Sequence, residues 1–288
     1  MAQWTADERD ELRQGYHECT VRLVEHLQLA EDKRQDVFFK EHCMWPANPV
    51  AEQRLSFGHA STGNDAADEE LLEDWVVDMR QIATASSCSA GNETIFPDAY
   101  LRTLSPTFLV RHPALAFPSF LRTQIQKGRR PARDPPVRKG GAEHTFYWSR
   151  CLYDWYVTDK AAHAEQHASG PAFPIVLDAD DIMLRPQFLL AYSEMVGLDP
   201  KKLRFEWERP TQEQVSGWSE GEKLMRSTLF ASTGIIEGKS AGDLDLEVEA
   251  RKWRDEFGQS AGKELESMVR NAMPDYLYLW TRRMQPDA

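Results

Sequence analysis

The sequence predicts an α/β fold in which a parallel sheet is flanked by helices. Three short apolar runs, which end near Lys40, Arg111 and Asp178, have the length and composition of buried strands. Long stretches with apolar residues at helical spacing separate these runs, as in chains that alternate strands and helices. Ligands bind such sheets at the carboxyl ends of the strands. The pattern therefore predicts one cleft formed by residues 40–42, 111–113 and 178–181.

The first part of the chain predicts two helices around one strand. Residues 6–30 carry apolar side chains at helical spacing, and the acidic residues after Thr5 suit the positive end of a helix. Residues 36–40 form a continuous apolar run, which predicts a buried strand. Residues 44–67 are rich in Pro, Gly, Ser and Asn, which predicts a loop. Residues 68–84 have an apolar stripe, which predicts a second helix.

The middle of the chain predicts a strand, a helix and a basic loop. Residues 106–111 are apolar and lead into a helical pattern over residues 114–127. Residues 127–141 hold six cations among prolines and glycines, which predicts a mobile loop. This loop is either a lid that attracts an anionic ligand or a solvated linker.

The last part predicts one more strand within a mainly helical region. An aromatic-rich helix around residues 146–156 precedes a strand at residues 174–178. A helix over residues 186–196 then ends at Gly197. No internal repeat is visible. The length and the single pattern of strands and helices predict one domain over residues 1–288.

Composition excludes several classes of protein. The 34 Lys and Arg against 46 Asp and Glu give a net charge of −12, which argues against general nucleic-acid binding. No apolar run is long enough to span a membrane, and the polar N-terminus does not resemble a signal peptide. The four cysteines are scattered and predict reduced thiols in a cytoplasmic protein.

Arg111 is the first candidate for binding a ligand. An arginine at a strand end beside the start of a helix offers a planar set of donors next to free backbone N–H groups. That combination suits a phosphate or a sulfate. The residues alone leave open a second interpretation, in which Arg111 pairs with a nearby carboxylate such as Asp178.

Residues 108–119, FLVRHPALAFPS, resemble the 3′-phosphate-binding segment of sulfotransferases, and most closely that of a fungal branch found in secondary-metabolite pathways. The resemblance implies a fold of the P-loop kinase type and the cofactor PAPS (3′-phosphoadenosine 5′-phosphosulfate). It also implies that Arg111 and Ser119, eight residues apart, bind the cofactor's 3′-phosphate.

Residues 38–42, FFKEH, resemble the family's strand that ends in Lys-Thr-His, with Glu41 in place of the threonine. The resemblance implies that His42 is the base toward the acceptor hydroxyl and that Lys40 stabilises charge on the transferring group. An imidazole with an ordinary pKa near 6.5 can accept a proton at neutral pH. The residues alone leave open an ordinary histidine at the end of a strand.

One part of the family's pattern is not recognised. Sulfotransferases begin with a strand, a glycine-containing loop for the 5′-phosphosulfate and a helix, and nothing before Lys40 resembles that loop. The sequence therefore predicts a sulfotransferase-like fold that is incomplete at its N-terminus, and PAPS binding without this loop is in doubt. An absent central strand predicts open edges and a homodimer or aggregation.

Other patterns favour weaker interpretations. Residues 234–240, GIIEGKS, have one residue too few between the glycines of a nucleotide-binding loop, so a turn is favoured. His163 and His167 lie one helical turn apart but have no evident third zinc ligand. The aspartates at residues 178–181 lack the spacing of a metal site, and sulfuryl transfer requires no metal.

Three functions remain open from the sequence. The first is a sulfotransferase-like enzyme that acts on a hydroxylated small molecule in fungal secondary metabolism. The second is a cofactor-independent cyclase, isomerase or dehydratase that uses the same cleft. The third is a non-catalytic remnant or a binding protein.

Overall fold

The computed structural model describes residues 5–57, 72–84, 87–126, 128, 144–162, 173–236 and 238–285. The chain divides into two compact units, and the domain predicted over residues 1–288 stays a prediction. Unit 1 comprises residues 1–106, 140–143 and 147–168, and unit 2 comprises residues 107–139, 144–146 and 169–288.

The described part of the chain is rich in helix and contains two short strands, β1 (Thr107–Val110) and β2 (Ile175–Asp178). A 3₁₀ turn covers Pro200–Lys202. The α-helices, numbered in chain order, are α1 (Ala6–Asp32), α2 (Pro49–Phe57), α3 (Asp98–Leu101), α4 (Pro113–Gln126), α5 (Tyr147–Ala162), α6 (Ala179–Leu184), α7 (Phe188–Met195), α8 (Gln212–Ser216), α9 (Glu220–Met225), α10 (Ser227–Phe230), α11 (Leu246–Phe257) and α12 (Gln259–Trp280).

Helix α1 of unit 1 confirms the first predicted element. The Glu8 amide donates to the Thr5 hydroxyl over 3.2 Å, and the Glu8 carboxylate accepts from the Thr5 amide over 2.8 Å. This reciprocal cap satisfies donors that the first helical turn leaves free. The predicted apolar stripe packs against the core of unit 1: Leu12, Tyr16, Leu23 and Leu27.

The second predicted helix, at residues 68–84, is wrong over most of its described part, residues 72–84. Only residues 72–73 are helical, and residues 76–79 have no regular secondary structure. The Val77 amide donates to the Ile95 carbonyl over 2.8 Å. Trp75, Val77 and Met79 are buried and Asp78 is exposed, so burial follows the two-residue period of extended chain. Pairing with the Ile95 segment outweighs the helical spacing.

The loop predicted at residues 44–67 is also wrong in part, because α2 occupies Pro49–Phe57. The buried Asn48 side chain accepts from the Val50 amide over 3.0 Å. An asparagine followed by proline is a helix-start signal, since the side chain caps the helix and proline suits its first position. Residues 58–67 lie outside the described residues.

The strand predicted at residues 36–40 is wrong. The segment has no regular secondary structure and joins no strand ladder among the described residues. Phe38 is 74% exposed and Phe39 is 48% exposed. An apolar run forms a buried strand only when a neighbouring strand and a packed layer cover it, and neither covers this segment.

Unit 2 confirms the other two predicted strands and the parallel arrangement. β1 and β2 pair in parallel, with Thr107 opposite Ile175 and Val110 opposite Asp178. Helix α4 follows β1, as predicted, and packs with α11 and α12 in one apolar cluster. The helix predicted at residues 186–196 is present as α7, and Gly197 follows it at a φ of +78°.

Candidate functional site

Lys40, Glu41 and His42 lie in unit 1, on the exposed segment that follows α1. The Lys40 Nζ is 2.9 Å from the His42 Nε2. The His42 amide donates to the Glu41 carboxylate over 2.7 Å. Contacts between sequence neighbours therefore hold this group, and the His42 side chain stays accessible.

The protonation state of His42 follows from these contacts. Partial burial of the ring lowers the pKa of His42 below 6.5, the positive charge of Lys40 lowers it further, and Glu41 opposes the shift. A lysine ammonium only donates hydrogen bonds, so Nε2 is the acceptor and Nδ1 carries the proton of the neutral ring. At neutral pH His42 is a base whose lone pair faces Lys40.

A surface cavity of about 600 Å³ lies in unit 1 beside the same segment. His26 and Ala30 of α1 line one part of it, and Arg34, Asp36 and Phe38 line another. It is a shallow depression that is widely open to solvent. Polar and aromatic groups in this cavity lie close in sequence to residues 40–42.

Arg111 lies in unit 2, immediately after β1. Its Nη2 donates to the Lys239 carbonyl over 3.1 Å, and its buried Nε has no hydrogen-bond partner. Among the ion pairs of the described residues, none joins Arg111 to Asp178 or to another carboxylate. The interpretation in which Arg111 pairs with Asp178 is therefore wrong, and one guanidinium donor lacks an acceptor.

Asp178 ends β2 and organises the start of α6. It accepts from the Asp180 amide over 3.0 Å and from the Tyr276 hydroxyl of α12 over 3.3 Å. Burial raises the pKa of Asp178, and the neighbouring Asp180 and Asp181 charges raise it further, whereas the Asp180 amide opposes the shift. The pKa of Tyr276 is also raised, mainly by burial. These groups place a polar cluster at the carboxyl ends of both strands.

Asp180 extends this cluster toward the segment that contains Lys239. The Ala241 amide donates to the Asp180 Oδ2 over 2.6 Å, whereas the buried Oδ1 has no partner. Residues 239 and 241 therefore contact two different strand ends, through Arg111 and through Asp180. The pattern at residues 234–240 had signalled a turn here, but nothing in it indicated these contacts.

His112 belongs to the same cluster, although sequence reasoning gave it no role. Its Nδ1 accepts from the Ala114 amide over 3.2 Å, and its ring lies 5.3 Å from the Tyr276 ring, centroid to centroid. Burial lowers the pKa of His112, and the charge of Asp180 opposes that shift. The neutral ring therefore carries its proton on Nε2.

The predicted site residues fall into both units. Lys40 and His42 lie in unit 1, and Arg111 and Ser119 lie in unit 2. Ser119 is exposed on α4 and makes no hydrogen bond with Arg111. The parallel register brings residues 111–113 and 178–181 together, as predicted from the strand ends, whereas a cleft at this place stays a prediction. A place for residues 40–42 in that cleft stays a prediction.

An ion pair holds α6 in place behind this cluster. The Arg283 Nε is 2.6 Å from the Asp181 Oδ2, and both side chains are largely buried. Arg185 approaches the other Asp181 oxygen at 3.6 Å. The Met284 amide donates to the Val176 carbonyl over 2.8 Å, so the segment after α12 also covers β2.

Several predicted features lie outside the described residues, namely the basic loop apart from Gly128 and the pair His163 and His167. Within the described ranges, no group of three or more His, Cys, Asp or Glu could hold a metal ion. The helices described here are all too short or too polar to cross a bilayer.

Two curated relatives match along the whole chain. A protein named sulfotransferase ppzF from Metarhizium majus is 38% identical over 289 residues, which cover 100% of this chain and 81% of the relative. A protein of the same name from Metarhizium rileyi is 37% identical over the same shares of both chains. No family model and no solved structure matches.

Proposed function

The chain belongs to the fungal sulfotransferase family of these two relatives, and from this premise we propose that it transfers a sulfuryl group from PAPS to the hydroxyl of a small molecule. The unpartnered Arg111 Nε at the end of β1 is the observation that supports a phosphorylated donor most directly. A buried donor without an acceptor is costly, and an anionic oxygen would remove that cost.

The residues present fit the 3′-phosphate end of PAPS. Arg111 offers a guanidinium. Lys239, whose carbonyl Arg111 contacts, is exposed and adds an ammonium. Ser119 would add a hydroxyl at the distance along the chain that the family uses. When bound, PAPS supplies an activated sulfuryl group attached to a phosphate leaving group.

His42 would accept the proton of the acceptor hydroxyl. Its Nε2 lone pair faces the Lys40 ammonium, so the acceptor hydroxyl must replace Lys40 at that nitrogen. The released ammonium could then stabilise negative charge on the transferring group. The cavity beside residues 34–38 offers room for a small acceptor with polar groups.

The finer parts of the proposal rest on the resemblance seen in the sequence. They are a fold of the P-loop kinase type and a role in a fungal secondary-metabolite pathway. A cytoplasmic location is proposed separately, from the four scattered cysteines. The resemblance of residues 108–119 to the fungal branch supports the fold type and the pathway role.

We also propose that the chain forms a homodimer. Exposed aromatic side chains at Phe38 and Phe39, on a segment that pairs with no strand in the described part of the chain, favour association. Sedimentation velocity over a range of concentrations should show a dimer, and Phe38→Asp should shift the population toward monomer. A wild-type chain that stays monomeric at the highest concentration would contradict this proposal.

Calorimetric titration with PAP, the desulfated product of PAPS, tests the donor assignment. We expect binding that is micromolar at best and at least about tenfold weaker in Arg111→Ala, since hydrogen bonds to charged groups contribute about 1.5–3 kcal/mol. Arg209→Ala is the matched control, because Arg209 is exposed and also donates to a carbonyl. Absence of heat and of a thermal shift at millimolar PAP would overturn the proposal.

A further inference from the structure

Two buried atoms in unit 2 lack partners and have opposite requirements. The Arg111 Nε is a donor without an acceptor, and the Asp180 Oδ1 is an acceptor without a donor. A cation and an anion in one cluster would ordinarily satisfy each other. Here the Arg111 guanidinium turns to the Lys239 carbonyl and the Asp180 carboxylate to the Ala241 amide.

One short segment holds both groups. Lys239 and Ala241 are two residues apart, and Arg111 and Asp180 follow the paired strand ends Val110 and Asp178. Arg111 and Asp180 therefore both lie just beyond the carboxyl ends of β1 and β2, where one segment contacts both side chains. Ligands of parallel sheets bind in this position.

The segment has the backbone of a hinged loop. Gly238 and Gly242 bracket it at φ values of +73° and +49°, a region that glycine adopts without strain. An added Cβ at either glycine would meet no atom within 4 Å, so open space surrounds both. Because the Arg111 Nε and the Asp180 Oδ1 have almost no exposed surface, a ligand reaches them only when neighbouring groups shift, and residues 239 and 241 are neighbours of both side chains.

A single ligand would satisfy both atoms if it carried an anionic oxygen beside a hydroxyl. The anionic oxygen would accept from the Arg111 Nε, and the hydroxyl would donate to the Asp180 Oδ1. A carboxylate is a good acceptor for a sugar hydroxyl, as in proteins where an acidic side chain binds a ribose. A ribose that carries a 3′-phosphate has this pair of groups on adjacent carbons.

We propose that Asp180 is a specificity-determining residue that accepts a hydrogen bond from the ribose 2′-hydroxyl next to the 3′-phosphate held by Arg111. This inference rests on the proposed function, because it takes the donor to be a ribonucleoside 3′-phosphate. Asp180 makes the site select ribose over deoxyribose. It takes no part in the transfer of the sulfuryl group.

The test compares PAP with its 2′-deoxy analogue, 2′-deoxyadenosine 3′,5′-bisphosphate, by calorimetry. The wild-type chain should bind PAP at least about tenfold more tightly, because the analogue leaves a buried carboxylate oxygen unpaired. Asp180→Ala should bring the two affinities within about twofold. The ratio of affinities cancels any effect of the variant on contacts that both ligands share.

Two further variants complete the design. Asp180→Asn keeps an oxygen for the Ala241 amide but loses the negative charge, so it should retain folding and show an intermediate ratio. Asp243→Ala removes an exposed carboxylate near the same loop and should keep the wild-type ratio. If Asp180→Ala does not fold, the wild-type ratio and that of Asp180→Asn still decide the matter.

The outcomes separate this inference from the proposed function. Equal binding of both ligands to the wild-type chain, or a full preference for PAP in Asp180→Ala, overturns the role of Asp180 and leaves the sulfotransferase proposal standing. No binding of PAP overturns the proposed donor, and the inference falls with it.

Discussion

The two groups of candidate residues are held in different ways. Lys40, Glu41 and His42 contact one another across one or two positions of an exposed segment. Arg111 and Asp178 depend on partners 128 and 98 residues away, in the segment around Lys239 and in α12. Substitutions in the first group should therefore have little effect on folding, whereas the residues of the second group are part of the packing of unit 2. We therefore expect substitutions at these unit 1 residues to alter activity without altering stability, and substitutions at these unit 2 residues to alter both.

His42→Ala should give the largest effect and test the unit 1 side of the comparison. Removal of a general base costs about 10²–10⁴-fold in rate, so turnover should fall by that range. The free energy of unfolding should change by less than about 0.5 kcal/mol, because the residue is exposed. Steady-state sulfation assays and urea denaturation measure the two quantities.

His17→Ala is the control for this variant, since His17 is an exposed histidine of unit 1 outside the candidate site. This variant should change neither the turnover nor the free energy of unfolding. Unaltered turnover in His42→Ala would remove His42 from the mechanism.

Arg283→Met should test the coupling in unit 2. The change leaves the largely buried Asp181 with only the more distant Arg185, and breaking a buried ion pair costs about 3–5 kcal/mol. We expect about 3 kcal/mol from urea denaturation, near the lower end because Arg185 remains. Binding of PAP should weaken in parallel, because α6 carries Asp180.

The neighbouring Arg282→Met serves as the comparison, because Arg282 is exposed and its guanidinium contacts Tyr278 and Thr281 rather than a carboxylate. Its loss should cost less than about 1 kcal/mol. Equal costs for the two variants would show that the buried pair does not support unit 2.

The smallest effect concerns the titration of His42. Its pKa lies below 6.5, so the ring should remain neutral on acidification until the pH falls below that value. NMR titration of the ring protons measures the midpoint. In Lys40→Gln the midpoint should rise toward 6.5 without reaching it, because partial burial still lowers the pKa. A midpoint that does not move would show that Lys40 carries no charge coupling to His42.

The sequence predicted those elements whose signals are local. Thr5 and Glu8 mark the start of α1, and the runs before Arg111 and after Phe173 form β1 and β2. The strand prediction for residues 36–40 was wrong because the composition of this run does not indicate whether a partner strand covers it. At residues 75–79 only Asp78 interrupts the apolar residues, so the sequence showed no clear two-residue period against the helical spacing.

The candidate site was predictable only in part, for the same reason. Arg111 was found because an arginine at the end of a strand has a local signature. Its contact with Lys239 and the contact of Asp180 with Ala241 join residues 128 and 61 positions apart, and no spacing rule reaches so far. The expected lack of an N-terminal strand and phosphosulfate loop stays a prediction.

The order in which the chain leaves the ribosome has a consequence for unit 2. Of the two paired strands, β1 emerges first. Residues 147–168, which belong to unit 1, emerge next, and β2 follows them. Asp181 then has no Arg283 partner until a further 102 residues have been synthesised. At about 5–20 residues per second, this interval lasts roughly 5–20 s. During that time the apolar faces of β1 and α4 are exposed to other nascent chains. Slower growth at low temperature together with abundant chaperones should therefore raise the yield of folded protein.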